Sequence, residues 1–179
     1  MRIVAGKFRS RILKSLKGNA LRPTSDRLRE TLFNILGPNV SGSRFLDVFA
    51  GTGAVGIEAL SRGAAHVTFV ERDPRAQALI SENLSRCRVA DRYVMIRAGI
   101  DRAAKDLVPG SFDLVLLDPP YHEPSEPVVA TLARLLAAKG TLVLEHARRM
   151  ASPASVGGLT RIREVVSGDS ALAFYSCPL

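Results

Sequence analysis

Arg44-Phe45-Leu46-Asp47-Val48-Phe49-Ala50-Gly51-Thr52-Gly53-Ala54-Val55-Gly56 is the stretch on which the fold turns. Arg44–Phe49 has the apolar content of a buried strand, Ala50–Gly53 reads as a turn, and Ala54–Ser61 reads as a helix. Gly51, Gly53 and Gly56 fit G-x-G-x-x-G, a turn that lets a ligand approach the backbone closely. Alone, this turn does not separate a nicotinamide dinucleotide from other adenosine ligands. His66–Val70 reads as the second strand. It ends at Glu71, twenty residues after Gly51, where a carboxylate can accept hydrogen bonds from both ribose hydroxyls.

Strands and helices go on alternating toward the C-terminus. Pro74 opens a helix with Ala76, Leu79, Ile80 and Leu84 as its buried stripe, and a strand follows near Arg92–Arg97. Leu114-Val115-Leu116-Leu117, after Phe112-Asp113, has the composition of a buried parallel strand, and Pro119-Pro120 forbid its continuation past Asp118. Pro127 introduces a helix with Val128, Leu132, Leu135 and Leu136 turned inward; Gly140 and a strand over Thr141–Glu145 come next. Residues 147–160 read as loop. Arg161–Val166 and Ala171–Cys177 flank Ser167-Gly168-Asp169-Ser170, a hairpin signal. The expected fold is α/β: a seven-stranded, mostly parallel, doubly wound sheet with helices on both faces and an antiparallel strand at its end.

In such a sheet, ligands lie beyond the carboxyl ends of the strands, at the reversal of strand order. The glycine turn, Glu71 and Asp118 end the first, second and fourth strands, so all three are expected at one cleft. Asp118-Pro119-Pro120-Tyr121 then gains a chemical meaning. Prolines have no N–H, so the turn presents carbonyl acceptors beside a carboxylate and an aromatic ring. Such a cluster suits a planar base bearing an amino group: Asp118 and a proline carbonyl take its two N–H hydrogens while Tyr121 covers its face. For the tetrapeptide alone, a strand-ending turn with a packing tyrosine is the alternative.

The charge is unevenly placed. Residues 1–30 hold nine Lys or Arg against Asp26 and Glu30, a net +7, whereas the other 149 residues net only +1. A cationic arm on a neutral body is what phosphate-backbone binding requires; an Arg-rich mitochondrial presequence is the competing reading. Arg2–Val4 and Ser10–Leu16 read as short strands around Gly6-Lys7. Arg22-Pro23-Thr24-Ser25-Asp26 starts a helix, capped by Thr24 or Ser25, that runs to about Leu36 and stops at Gly37-Pro38. The domains expected are a basic ribbon and helix over 1–40 and a ligand-binding catalytic domain over 41–179. Cys87 and Cys177 are far apart and His66, His122 and His146 stand singly, which argues against a disulfide framework or a zinc site. No apolar run approaches the roughly 18 residues of a membrane span, and the first residues lack a secretory apolar block. A cytoplasmic monomer without metal or membrane contact is the expectation.

Asp47 in the first strand, followed by Val48-Phe49-Ala50-Gly51-Thr52-Gly53, resembles the donor loop of class I S-adenosylmethionine-dependent methyltransferases. Asp118-Pro119-Pro120-Tyr121 resembles the D/N-P-P-Y/F motif of amino-group methyltransferases. With Arg2-Ile3-Val4-Ala5-Gly6-Lys7 and Arg22 through Asn34, these segments are similar to the ribosomal small-subunit guanine-N2 methyltransferase D (RsmD) family across essentially the whole chain. The resemblance implies methyl transfer from S-adenosylmethionine to the exocyclic N2 of one guanine in 16S rRNA, within a partly or fully assembled small subunit. It assigns Asp47, Phe49, Gly51, Thr52, Gly53 and Glu71 to the cofactor, with Asp101 or nearby backbone a candidate for the adenine, and Asp118, Pro119, Pro120 and Tyr121 to catalysis. Lys7, Arg9, Arg11, Arg22, Arg27 and Arg29 are the RNA-binding candidates. The alternatives are a DNA adenine-N6 methyltransferase, a non-catalytic RNA-binding assembly factor and, more remotely, a nicotinamide oxidoreductase.

Overall fold

The computed structural model describes residues 1–15, 25–120 and 125–178. Five strands, β1 (Arg44–Val48), β2 (His66–Val70), β3 (Tyr93–Ile96), β4 (Phe112–Leu117) and β5 (Leu136–Ala147), run parallel. Between them lie α2 (Ala54–Ser61), α3 (Pro74–Arg86), α4 (Ile100–Asp106) and α5 (Glu126–Ala133), with α1 (Asp26–Leu36) ahead of β1. Three further strands, β6 (Ser155–Val156), β7 (Leu159–Ser167) and β8 (Ser170–Ser176), extend the sheet. The order is β3-β2-β1-β4-β5-β8-β7-β6, with β8 antiparallel to β5. It reverses between β1 and β4, and that is where a crevice opens at the carboxyl edge.

The central parallel strands β1, β2 and β4 are buried on both faces, whereas edge strand β3 exposes Val94, and the alternation of side chains divides the core in two. Phe45, Val67, Phe69, Leu114, Leu116 and Val143 pack under α1, α2 and α3, together with Ile3, Phe8 and Leu13 of the N-terminal arm. Leu46, Val48, Val70, Val115, Leu117, Leu142 and Leu144 pack under α4 and α5. This parity also decides where the polar strand residues go. Asp47 shares a face with Phe45, Asp118 follows Leu114 and Leu116, and Glu145 follows Val143, so all three carboxylates lie on the α1–α3 side at the carboxyl edge.

Three expectations need correction. Among the described residues the strands number eight, because Gly157 (φ 58°) and Gly158 (φ 80°) form a two-residue turn that pairs Val156 with Leu159 inside the segment read as loop. Positive φ at both central residues is the hairpin geometry that glycine supplies without strain. The helix opened by Pro127 ends at Ala133; Leu135 and Leu136 are buried as expected, but Leu136 already pairs with Phe112 at the start of β5. The chain bulges over residues 137–140 before Thr141 pairs with Leu114, and a Cβ on Gly140 would lie 2.7 Å from Leu136 Cγ. The helix at Ile100–Asp106 has no counterpart in the sequence reading, because its seven residues are too few for a clear period.

The basic ribbon is a tight excursion with an antiparallel bridge from Arg2 to Ile12. It is welded to the outside of α2. The Glu58 carboxylate, 0% exposed, accepts from the backbone N–H of Val4 (2.8 Å) and Ala5 (2.9 Å), and Ser61 Oγ accepts from Phe8 N (2.9 Å). Ser25 caps α1, accepting from Leu28 N at 3.1 Å. Among the described residues no helix is long and apolar enough to cross a membrane.

Candidate active site

The first strand leaves the sheet at Phe49, whose backbone is left-handed (φ 59°), a costly conformation for a bulky residue. Gly53, also left-handed at φ 74°, starts α2 and sits against Ile80 of α3. Gly56 serves packing rather than the turn: a Cβ there would lie 2.2 Å from Phe69 Cε1, so α2 can reach the sheet only with glycine at this point. Asp47 is buried below the turn and accepts from Gly56 N at 2.9 Å, holding the first turn of α2 from beneath. Burial pushes its carboxyl up to about 7, against the pull of the Gly56 hydrogen bond and with a further push from Glu71.

Glu71 spans the crevice wall. Its Oε2 accepts from Gly51 N and its Oε1 from Asp73 N, both at 2.8 Å, while Gln77 Nε2 donates to its backbone carbonyl at 2.9 Å. Each carboxylate oxygen retains a second lone-pair direction, so the group can accept ribose hydroxyls while bracing the glycine turn. Asn83, fully buried, ties this region to the arm: it donates to Thr52 O (2.9 Å) and Lys14 O (3.1 Å) and accepts from Lys14 N (2.8 Å). Beside Glu71 a cavity opens, lined by Phe49, Val70, Arg72, Ile100, Asp101 and Val128. This small slot, part apolar and part polar, lies next to the Glu71 carboxylate and the glycine turn, where the base of an adenosine would enter. Arg72, Ile100 and Val128 escaped the sequence reading because their contribution depends on how α4 and α5 dock, not on any local pattern.

Asp118 continues β4, its N–H reaching Val48 O at 3.4 Å, and Pro119 is buried behind it. The Asp118 carboxyl is raised well above the usual carboxylate range, first by burial, then by Glu145 and Asp47. The structure thus brings Asp47, Phe49, Gly51, Thr52, Gly53, Glu71, Asp101, Asp118, Pro119 and Pro120 to one edge of the sheet. Tyr121 and Arg22 lie outside the described residues.

The cationic candidates separate. Arg29 is not available to RNA: its guanidinium is 0% exposed, bonded to Arg2 O and Asp26 (3.0 Å) and 3.5 Å from buried Glu58. It falls on the inner side of α1 next to Leu28, where the charge count alone could not place it. Arg11 is half-buried over Phe8 and donates to Arg86 O at 3.2 Å. Lys7 and Arg9 are exposed, but their turn docks on Ser61, the last residue of α2, about 12 Å of helix away from the cleft. Arg27 is exposed at the start of α1, on the rim. Arg148 and Arg149, exposed just beyond β5, were missed because residues 147–160 read as featureless loop.

The family model described as conserved hypothetical protein 95 matches residues 1–176. The chain belongs to this family. Its relatives carry the RsmD-type methyltransferase names that the motifs resemble. The chain is 43% identical over 124 residues to "Ribosomal RNA small subunit methyltransferase D" of Haemophilus influenzae, covering 68% of this chain and 64% of that protein. A Bacillus subtilis relative, "Putative rRNA methyltransferase YlbH", is 37% identical over 180 residues, 98% of each chain. A solved hypothetical protein of Thermus thermophilus superposes with a TM-score of 0.80 at 32% identity, over 98% of this RsmD-family chain and 99% of that one.

Proposed function

We propose that this protein transfers a methyl group from S-adenosylmethionine to the exocyclic N2 of a guanine in small-subunit ribosomal RNA. The observation that carries the reading is the placement of Asp118-Pro119-Pro120 on the same sheet edge as the glycine turn, Glu71 and the cavity beside it. The relatives' names support ribosomal RNA as substrate. Glu71 holds the ribose, the slot beside it takes the adenine, and the glycine turn leaves room for the rest of the cofactor. When bound, the cofactor supplies an electrophilic sulfonium methyl.

Guanine N2 is a poor nucleophile because its lone pair is delocalised into the ring. Asp118 and the Pro119 carbonyl hold the two N–H groups, favour a pyramidal nitrogen and direct its lone pair at the methyl carbon. As the new N–C bond forms, the C–S bond breaks with its electron pair going to sulfur, and one N–H proton leaves toward Asp118. Tyr121 stacks on the base. The base must leave its stack to reach this depth, at a cost of a few kcal/mol offset by stacking and phosphate contacts. Arg27, Arg148 and Arg149 supply those contacts at the rim, and Lys7 and Arg9 extend them along the body.

The test is transfer of labelled methyl to small ribosomal subunits, naked ribosomal RNA and duplex DNA, followed by digestion to nucleosides. N2-methylguanosine from a ribosomal substrate is expected. Label in N6-methyladenine would instead identify a DNA adenine enzyme, and cofactor binding without transfer to any substrate would identify an assembly factor.

A further inference from the structure

Beside Asp118 lies a second carboxylate that the reading above leaves without a task. Leu117 of β4 pairs with Leu144 of β5, so Asp118 and Glu145 are the next residues of adjacent parallel strands, whose backbones run about 5 Å apart. Both belong to the α1–α3 face. Glu145 is only 5% exposed, and it lines a cavity closed on one side by Ser25 and Arg27 and on the other by the β7–β8 turn, residues 167–170. That turn is held in place: Arg148 N donates to Asp169 O at 2.8 Å, and Ala147 pairs with Ser170.

Two carboxylates so close repel each other, and Asp169 adds a third at the cavity wall, facing the cap of α1 and Arg27. Ser25 is the cap of α1, so the helix's positive end opens on this cavity, and the Arg27 guanidinium stands at its rim. The pair offers a ligand adjacent acceptors, which match adjacent N–H donors. Guanine presents that pattern, N1–H next to the N2 amino group. Adenine does not: beside its amino group stands N1, an acceptor, which would face carboxylate lone pairs. Burying unpaired acceptors against each other is a strong ground for rejection.

We propose that Glu145 reads the target base, its carboxylate accepting guanine N1–H while Asp118 accepts from the neighbouring amino group, so that the cavity bounded by Arg27 and the β7–β8 turn is the base pocket. This inference rests on the guanine-N2 reading above. It makes Glu145 the residue that separates guanine from adenine in a cleft whose Asp-Pro-Pro element would serve either amino group.

The test uses the full chain and small subunits whose modified guanine has been mapped with the wild-type protein. Semi-synthetic subunits then carry guanine or 2-aminopurine at that position; 2-aminopurine keeps the 2-amino group but has an acceptor at N1. Wild type is expected to prefer guanine about tenfold to hundredfold in kcat/KM. Glu145→Gln, whose amide offers both an acceptor and a donor, is expected to lose about that factor on guanine and to erase or invert the preference, with S-adenosylmethionine affinity by calorimetry within about twofold of wild type. Equal wild-type rates on the two bases would overturn the inference without needing any variant to fold. So would a Glu145→Gln protein that keeps the wild-type preference, since a purely structural carboxylate leaves that ratio unmoved. Absence of N2-methylguanosine with wild type would overturn the parent reading itself, a result distinct from either.

Discussion

Asp47 shows how one side chain carries both fold and site. It is buried on the α2 face of β1, holds Gly56 N, and has its carboxyl pushed up to about 7. Its pKa in the folded chain lies above the unfolded value, so the folded state binds the extra proton between about pH 4 and 7 and loses stability as pH rises through that window. Replacing Asp47 with Asn removes the titration while keeping an acceptor for Gly56. The melting temperature of Asp47→Asn relative to wild type should therefore rise from about pH 4 to about pH 7.5; a difference that stays flat would contradict the buried, elevated carboxyl. Gly56 gives a second prediction at this scale. Gly56→Ala puts a methyl 2.2 Å from the Phe69 ring, and α2 must move off the sheet, costing about 1–3 kcal/mol in denaturant unfolding.

At the scale of elements, the N-terminal arm is joined to α2 through Ser61 and through one buried carboxylate, Glu58. Glu58 receives Val4 N, Ala5 N and Arg62 Nε, and lies 3.5 Å from Arg29 Nε, with neither Glu58 nor Arg29 reaching solvent. Glu58→Ala leaves the Arg29 guanidinium buried beside a void, and removal of one partner from a buried pair costs about 3–5 kcal/mol. Equilibrium unfolding should show that loss, and hydrogen exchange should show the amides of Val4, Ala5 and Phe8 opening first. Protection of those amides equal to wild type would mean that the arm is held by its apolar contacts and the Ser61 hydrogen bonds without Glu58.

The elements also show what the sequence made legible. Strand–turn–helix at residues 44–61, β2 and the stop of β4 at Asp118 follow from apolar runs, glycines and prolines, which act over a few neighbouring residues. Arg29 and Glu145 do not. Arg29 is an ordinary basic residue of a basic segment until the helix phase turns it inward against Glu58. Glu145 ends a predicted strand, and its importance comes from lying next to Asp118 in the β4–β5 register, a relation between residues 27 positions apart. Cavity residues such as Ile100 and Val128 depend likewise on helix docking.

For the whole molecule, the exposed cations proposed to meet RNA fall into two groups, one at the carboxyl edge (Arg27, Arg148, Arg149) and one at a distant turn (Lys7, Arg9). A substrate as large as a ribosomal particle can engage both, and each neutralised phosphate releases counterions. Binding to small subunits should weaken steeply with salt, and Arg27→Ala with Arg148→Ala should reduce the slope of log K against log salt by about 1 to 2 while S-adenosylmethionine affinity stays unchanged. An unaltered slope would remove these residues from the interface.

The central claim is that Asp118 presents an amino group on guanine to the methyl donor. Methyl transfer to small subunits under single-turnover conditions, with nucleoside analysis, tests it most directly when wild type is compared with Asp118→Ala. The account predicts N2-methylguanosine from wild type, and a rate about 10²- to 10³-fold lower for Asp118→Ala with cofactor affinity preserved. N2-methylguanosine formed by Asp118→Ala at the wild-type rate would contradict it.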